Sequence, residues 1–189
     1  MGALREKVPE LVLEAAMVVF AVVVALGVDE WRESRQNAQL AQRALAGIEA
    51  EIESNRKELA ENGEANQALL ARVREAVRDS VLPDTLSVNF EYSLISSSAW
   101  ETAQVTRATQ FIPLDRVQTL AKLYGLQTLY QASQDKVMDF ILSVGDLAHR
   151  EPERIPRLIL GPLGSSVGMG ELLVQVYDTT LARLQDGGG

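Results

Sequence analysis

A chain of 189 residues has room for one domain of ordinary size and an accessory segment. It is 47% apolar and 23% charged, as a folded chain is. Its net charge of −8 with no basic cluster argues against nucleic acid, whose phosphates need Lys and Arg on one face. Cysteine is absent, which excludes disulfides, thiolate metal sites and thiol catalysis.

The apolar residues are unevenly spread. Leu11 to Val28 holds sixteen of them, interrupted only by Glu14 and Gly27. About 20 mostly apolar residues cross a bilayer as a helix, so this stretch predicts a transmembrane anchor within residues 1–28. Pro9 suits a first helical turn, and Trp31 suits the headgroup level beyond the far end. Glu14 counts against a cleaved signal peptide. The lack of a polar face from Ala16 to Leu26 counts against a helix lying in the interface, while a buried core helix of this length stays open. Glu14 itself sits about 7 Å along the helix from Pro9, within reach of the interface. An intramembrane carboxylate can also mark a proton path or a partner contact. Glu14, Phe20 and Trp31 are the anchor residues singled out here.

Residues 29–80 lack proline until the following turn and are rich in good helix formers. Ala41, Leu45, Ile48, Ile52, Asn55, Leu59, Asn62, Asn66, Leu69, Val73 and Ala76 recur at alternating spacings of four and three. That period fits a coiled-coil seam, in which the Asn residues set register or oligomeric state, or an amphipathic helix lying on its own domain. Asn62-Gly63 is a possible turn. The segment is therefore either one helix of about 75 Å or a hairpin.

Residues 81–189 predict a small helical domain with an extended arm at about 84–95 and a loose tail at 186–189. In the arm, Leu86, Val88, Phe90, Tyr92 and Leu94 alternate with polar residues, the period of a half-buried strand. No hairpin partner follows, so the arm either packs on helices or pairs with another chain. Val88, Phe90 and Tyr92 are the candidate partner contacts. Ser98 and Glu101 have capping-box spacing. A helical stretch starts at Pro113 and runs to about Ala148, and a last helix is expected from Gly170 to Leu184, after a flexible glycine-rich connection from Gly161. The fold class is all-α.

Glu14, Ala25-Leu26 and Trp31, with Asn55-Arg56 in the polar helix beyond, form a pattern that resembles a bacterial group of single-pass membrane proteins of uncharacterised function. Ser98-Ala99-Trp100-Glu101-Thr102-Ala103 also looks like a recurrent element of that group. The chain departs from the group at Ala21 and Val22, where glycine is common. The resemblance implies a bacterial envelope protein with an N-terminal anchor, and it carries no catalytic residues.

No catalytic constellation emerges. His149 is the only histidine and stands near a helix C-terminus, where a cation suits the dipole. Without clustered ligands it makes a poor metal site, and with Ser96, Ser97 or Ser98 it lacks an identifiable orienting acid. The glycine-rich run lacks the Lys and Ser/Thr of a phosphate-binding loop. No cofactor, metal or nucleic acid is expected.

The partners expected are the lipid bilayer and a larger membrane complex or further copies of the chain. The first functional expectation is an accessory or interaction subunit docked on a bacterial inner-membrane assembly, whether energy-transducing, photosynthetic, transport or secretion. Positive charge is balanced across the anchor, and the expected topology is a cytoplasmic N-terminus with a periplasmic domain. The alternative is an envelope sensor or ligand-binding domain with a pocket lined by Trp100, Tyr124 and Tyr130. An enzyme acting through the glycine-rich run is a third reading.

Overall fold

The computed structural model describes residues 8–79 and 88–186. Among them the chain is all-helical, with no strand. Helix α1 spans Val8–Asp79 without a break, so Asn62-Gly63 is helical and the hairpin does not form. The chain divides into two compact units, residues 1–43 and 44–189.

In the first unit, α1 leaves large apolar side chains uncovered from Met17 to Val28, and Phe20 is 71% exposed. Trp31 is exposed as well, and the Arg35 guanidinium lies 5.0 Å from the centre of its ring. The side chain of Glu14 lies outside the described residues.

The second unit is a bundle of three long helices. The remainder of α1 packs with α3 (Leu114–Ser143) and α5 (Ile155–Asp186). Between α1 and α3 in sequence come an extended strap at 88–97, the short helix α2 (Ser98–Val105) and a 3-10 turn. The six-residue helix α4 (Gly145–Arg150) and a second 3-10 turn join α3 to α5. Helix α3 runs parallel to α1. Tyr124 reaches Glu51 and Gln127 reaches Asn55 near one end, while Val137 meets Leu69 and Val73 near the other. Helix α5 returns antiparallel, pairing Glu171 with Gln67 and Asp178 with Arg56.

The seam of α1 turns inward. Ile48, Ile52, Asn55, Leu59, Asn66, Leu69, Val73 and Ala76 are all buried, against α3, α5 and the strap of the same chain. This is the amphipathic alternative, with its own domain in the place of a coiled-coil partner.

Further expectations are corrected. The glycine-rich run is no loop: α5 passes through Gly161 to Gly170 with Pro162 inside it, and it starts fifteen residues before the expected Gly170. An interior proline costs a helix about 3 kcal/mol. Ile159 and Leu163, either side of it, are completely buried, and each such burial contributes about 1.5–3 kcal/mol, so packing outweighs the local preference.

The capping box at Ser98 is not made either. Ser97 is the N-cap, without a side-chain bond to the helix backbone, and its Oγ donates to Glu101 Oε1 at 2.6 Å. Glu51 of α1 accepts the Ala99 N–H at 2.9 Å and caps α2 from another element.

The arm's alternation slips by one residue. Its first residues lie outside the described chain. Val88 and Phe90 are half-buried against the core, but from Ser93 on the buried row is Ser93 and Ile95, and Leu94 is 81% exposed. The helical stretch expected from Pro113 to about Ala148 is made by α3 and α4 with a one-residue break at Val144. Of the tail at 186–189, Asp186 ends α5 and 187–189 lie outside the described residues.

By length and composition, one described helix could cross a membrane, and it is the C-terminal one, spanning Pro152–Gln185. Its fully buried Ile159, Leu163, Leu173 and Tyr177 follow the spacing of one face, while Arg157, Glu171, Asp178 and Arg183 are exposed. That division is what a bundle helix needs in order to pack in water.

Candidate functional site

Strap residues 88–97 make no regular backbone pairing, and they lie along α1 and α3 with one side turned to the core and the other to solvent. Side-chain amides from the helices supply the partners. Asn66 of α1 grips Glu91 with both of its polar atoms: Nδ2 donates to the Glu91 carbonyl at 2.8 Å, and Oδ1 accepts the Glu91 N–H at 2.9 Å. Asn55 holds Ser96 in the same way, at 2.7 and 2.8 Å. From the other side, Gln134 of α3 accepts the Ser93 N–H at 2.7 Å and donates to its carbonyl at 3.2 Å. Gln127 and Gln131 donate to the carbonyls of Ser96 and Ile95. The amides thus act as the neighbouring strands that the fold lacks. A buried backbone group needs a partner of some kind, and the sequence pattern of the arm gave no sign of this one.

The grip continues into the core. Gln127 Oε1 accepts from Tyr177 Oη of α5 at 2.8 Å, so one amide ties together α3, α5 and the strap. Burial pushes the Tyr177 hydroxyl well above its usual range. Among the described residues no buried side-chain nitrogen or oxygen lacks a partner. A fully satisfied network of this kind specifies one packing and leaves no polar group waiting for a ligand.

Glu51 forms the second node. Its Oε2 accepts from Ala99 N–H, Ser96 Oγ and Ser98 Oγ, and its Oε1 accepts from Tyr124 Oη at 2.7 Å. Burial works against its charge. The bond from Ala99 and those from the three hydroxyls outweigh that effect and hold the carboxyl below its ordinary 4.5. Burial raises the Tyr124 hydroxyl far above its usual range, and donation to Glu51 raises it further. The Tyr124 ring stacks on Trp100, with centroids 5.4 Å apart and planes 5° from parallel.

Two hollows adjoin this framework. One, of about 360 Å³, is bordered by Trp100 and Tyr124. The other, of about 290 Å³, is a groove between α1 and α5 floored by Tyr130. The pocket expected from Trp100, Tyr124 and Tyr130 is therefore divided, with Tyr130 in a different hollow from the other two. The groove was not visible in the sequence, because its walls come from helices about a hundred residues apart. Of the glycines that border it, Gly63 reads as a turn and Gly170 as the end of a flexible connection.

Of the proposed partner contacts, Val88 and Phe90 pack against Leu69, Leu70, Val73, Val137, Ile159 and Leu163. Tyr92 is half-buried and donates to Asp135 Oδ1 at 2.9 Å. The arm packs on its own helices, so unmet backbone edges give no reason to invoke a second chain. On the strap it is Leu94 that faces outward; elsewhere in the second unit Val105, Leu114, Leu129 and Leu142 are also well exposed. His149 lies beyond the C-terminal end of α3, where its Nδ1 is 2.8 Å from the Gly145 carbonyl oxygen. Ser96, Ser97 and Ser98 lie on the strap and at the start of α2, bonded to Glu51 and Glu101, so serine and histidine are not brought together. No family model, curated protein or solved structure matches the chain.

Proposed function

We infer that this protein is a membrane-anchored accessory subunit that docks its helical domain onto a larger bacterial inner-membrane assembly. The observation that carries the reading is the uncovered apolar surface of α1 from Met17 to Val28. Those side chains point in every direction around the helix, so a single helical partner leaves most of them in water, whereas lipid covers all of them. Trp31 and Arg35, stacked just beyond, suit the headgroup region. Glu14 and Phe20 belong to the same anchor, and the resemblance of the Glu, Ala-Leu and Trp pattern to bacterial single-pass proteins points the same way. The domain lies in the periplasm and the N-terminus in the cytoplasm. Leu94 and Val105, the two most exposed of several apolar residues on the second unit, are the docking contacts to test first.

Alkaline carbonate washing of membranes should leave the protein in the pellet, and release to the supernatant would refute the anchor. Sedimentation in mild detergent should show a mass well above that of one chain. Leu94→Ser with Val105→Ser should reduce that mass without lowering the melting temperature. A monomer in the unaltered protein would end the docking reading and leave the anchor standing.

A further inference from the structure

We propose that the groove between α1 and α5 is a binding site for a small organic ammonium ion with an apolar body. This site is separate from the docking contacts and does not depend on them. At about 290 Å³ the groove is near the lower size of small-molecule pockets, about 300 Å³. Leu59, Val167 and Val174 line it with apolar surface, and Tyr130 closes the bottom. An apolar ligand body fits those walls.

The mouth decides the charge of the ligand. Glu64 of α1 and Glu171 of α5 both border the groove, and among the described residues no Lys or Arg lines it. Gln67 Nε2 donates to Glu171 Oε1 at 2.9 Å and fixes that carboxylate across the opening. An ammonium group gains two opposite charges there, close to low-dielectric walls, while a carboxylate meets only repulsion.

Gly63 borders the groove as well. It stands in the middle of a long helix, where glycine is a poorer choice than almost any other residue. Packing does not require it, because a Cβ at this position meets nothing within 4 Å. Its φ is not positive, so backbone geometry does not require it either. What the missing side chain does is leave the groove open. Gly170 opposite is different, since a Cβ there comes within 3.2 Å of the Tyr130 ring. One glycine seats the floor, and the other leaves the space above it empty.

The test uses the full chain in lipid nanodiscs with methyl-labelled Leu and Val. Phenylbutylammonium is the probe, and phenylbutanol and phenylbutyrate are its neutral and anionic isosteres. The expected result is saturable shifts at the Leu59, Val167 and Val174 methyls with the cation, and at least tenfold weaker binding of either isostere. Glu64→Gln with Glu171→Gln should weaken the cation about tenfold. Gly63→Leu fills the groove and should abolish the shifts while leaving the other methyl resonances in place and not lowering the melting temperature. Partition into the lipid is common to the unaltered and Gly63→Leu proteins and cancels between them. The proposal is overturned if the cation gives no saturable shift, if either isostere binds as well, or if Gly63→Leu binds undiminished.

Discussion

At the scale of single residues, amide side chains are the unusual structural currency of this domain. Asparagine and glutamine suit the task because each offers a donor and an acceptor side by side, matching one residue of extended backbone. An acid offers no donor and a hydroxyl is too short to span both groups. Asn66→Ala removes both bonds to Glu91 and strands two backbone groups. Each such loss costs about 1–3 kcal/mol when the group is buried, and Glu91 is exposed enough for water to compensate in part. Urea unfolding should therefore show a loss of about 2–4 kcal/mol. Asn66→Asp should do no better, since it loses the donor and places a charge against the Glu91 carbonyl. The positions of these asparagines were legible in the sequence, because a period of 3.5 put Asn55, Asn62 and Asn66 on the inner face of α1. Their partners were not legible. The strap residues they hold are 25–41 positions away, and nothing in a helical period says what lies opposite.

At the scale of elements, α2 depends on a residue outside itself. A helix of eight residues has little stability of its own, and the Glu51 carboxylate holds it by accepting from its first turn. The linkage has a definite sign. The folded carboxyl titrates below its ordinary 4.5, so its contribution is fully present above that value and is lost as pH falls through the lower, folded one. Thermal melts taken from pH 6 down to pH 3 should show the unaltered protein losing more stability than Glu51→Gln, and parallel curves would reject the linkage. Sequence reading failed at α2 and α5 for a shared reason. A capping box and a glycine-rich run are local signals, and in both places contacts from a distant helix prevailed: Glu51 on α2, and the buried pair Ile159 and Leu163 around Pro162. The arm shows an intermediate case. Its extended character and its inward Val88 and Phe90 were visible in the alternation, but the slip at Ser93 was not, since it follows from Gln134 bonding both backbone groups of Ser93.

At the scale of the molecule, the all-helical class could be read directly from composition and periodicity. The choice between one long helix and a hairpin after the apolar stretch was left open by Asn62-Gly63, and the groove could not be read at all, because it exists only once α5 lies antiparallel beside α1. The amide-held strap also bears on how the domain opens. By backbone geometry residues 88–97 are irregular, and irregular segments ordinarily exchange their amide hydrogens quickly with water. Here the N–H groups of Glu91, Ser93 and Ser96 are committed to Asn66, Gln134 and Asn55, which belong to two different helices. Releasing all three means breaking bonds to α1 and α3 together, which ties the opening of the strap to both helices. Hydrogen exchange should therefore find these three amides as slow as those of the buried turns at Ile52 and Leu69. Rates typical of a surface loop would show that the strap lifts away alone. Slow exchange would place this irregular segment in the last part of the domain to open.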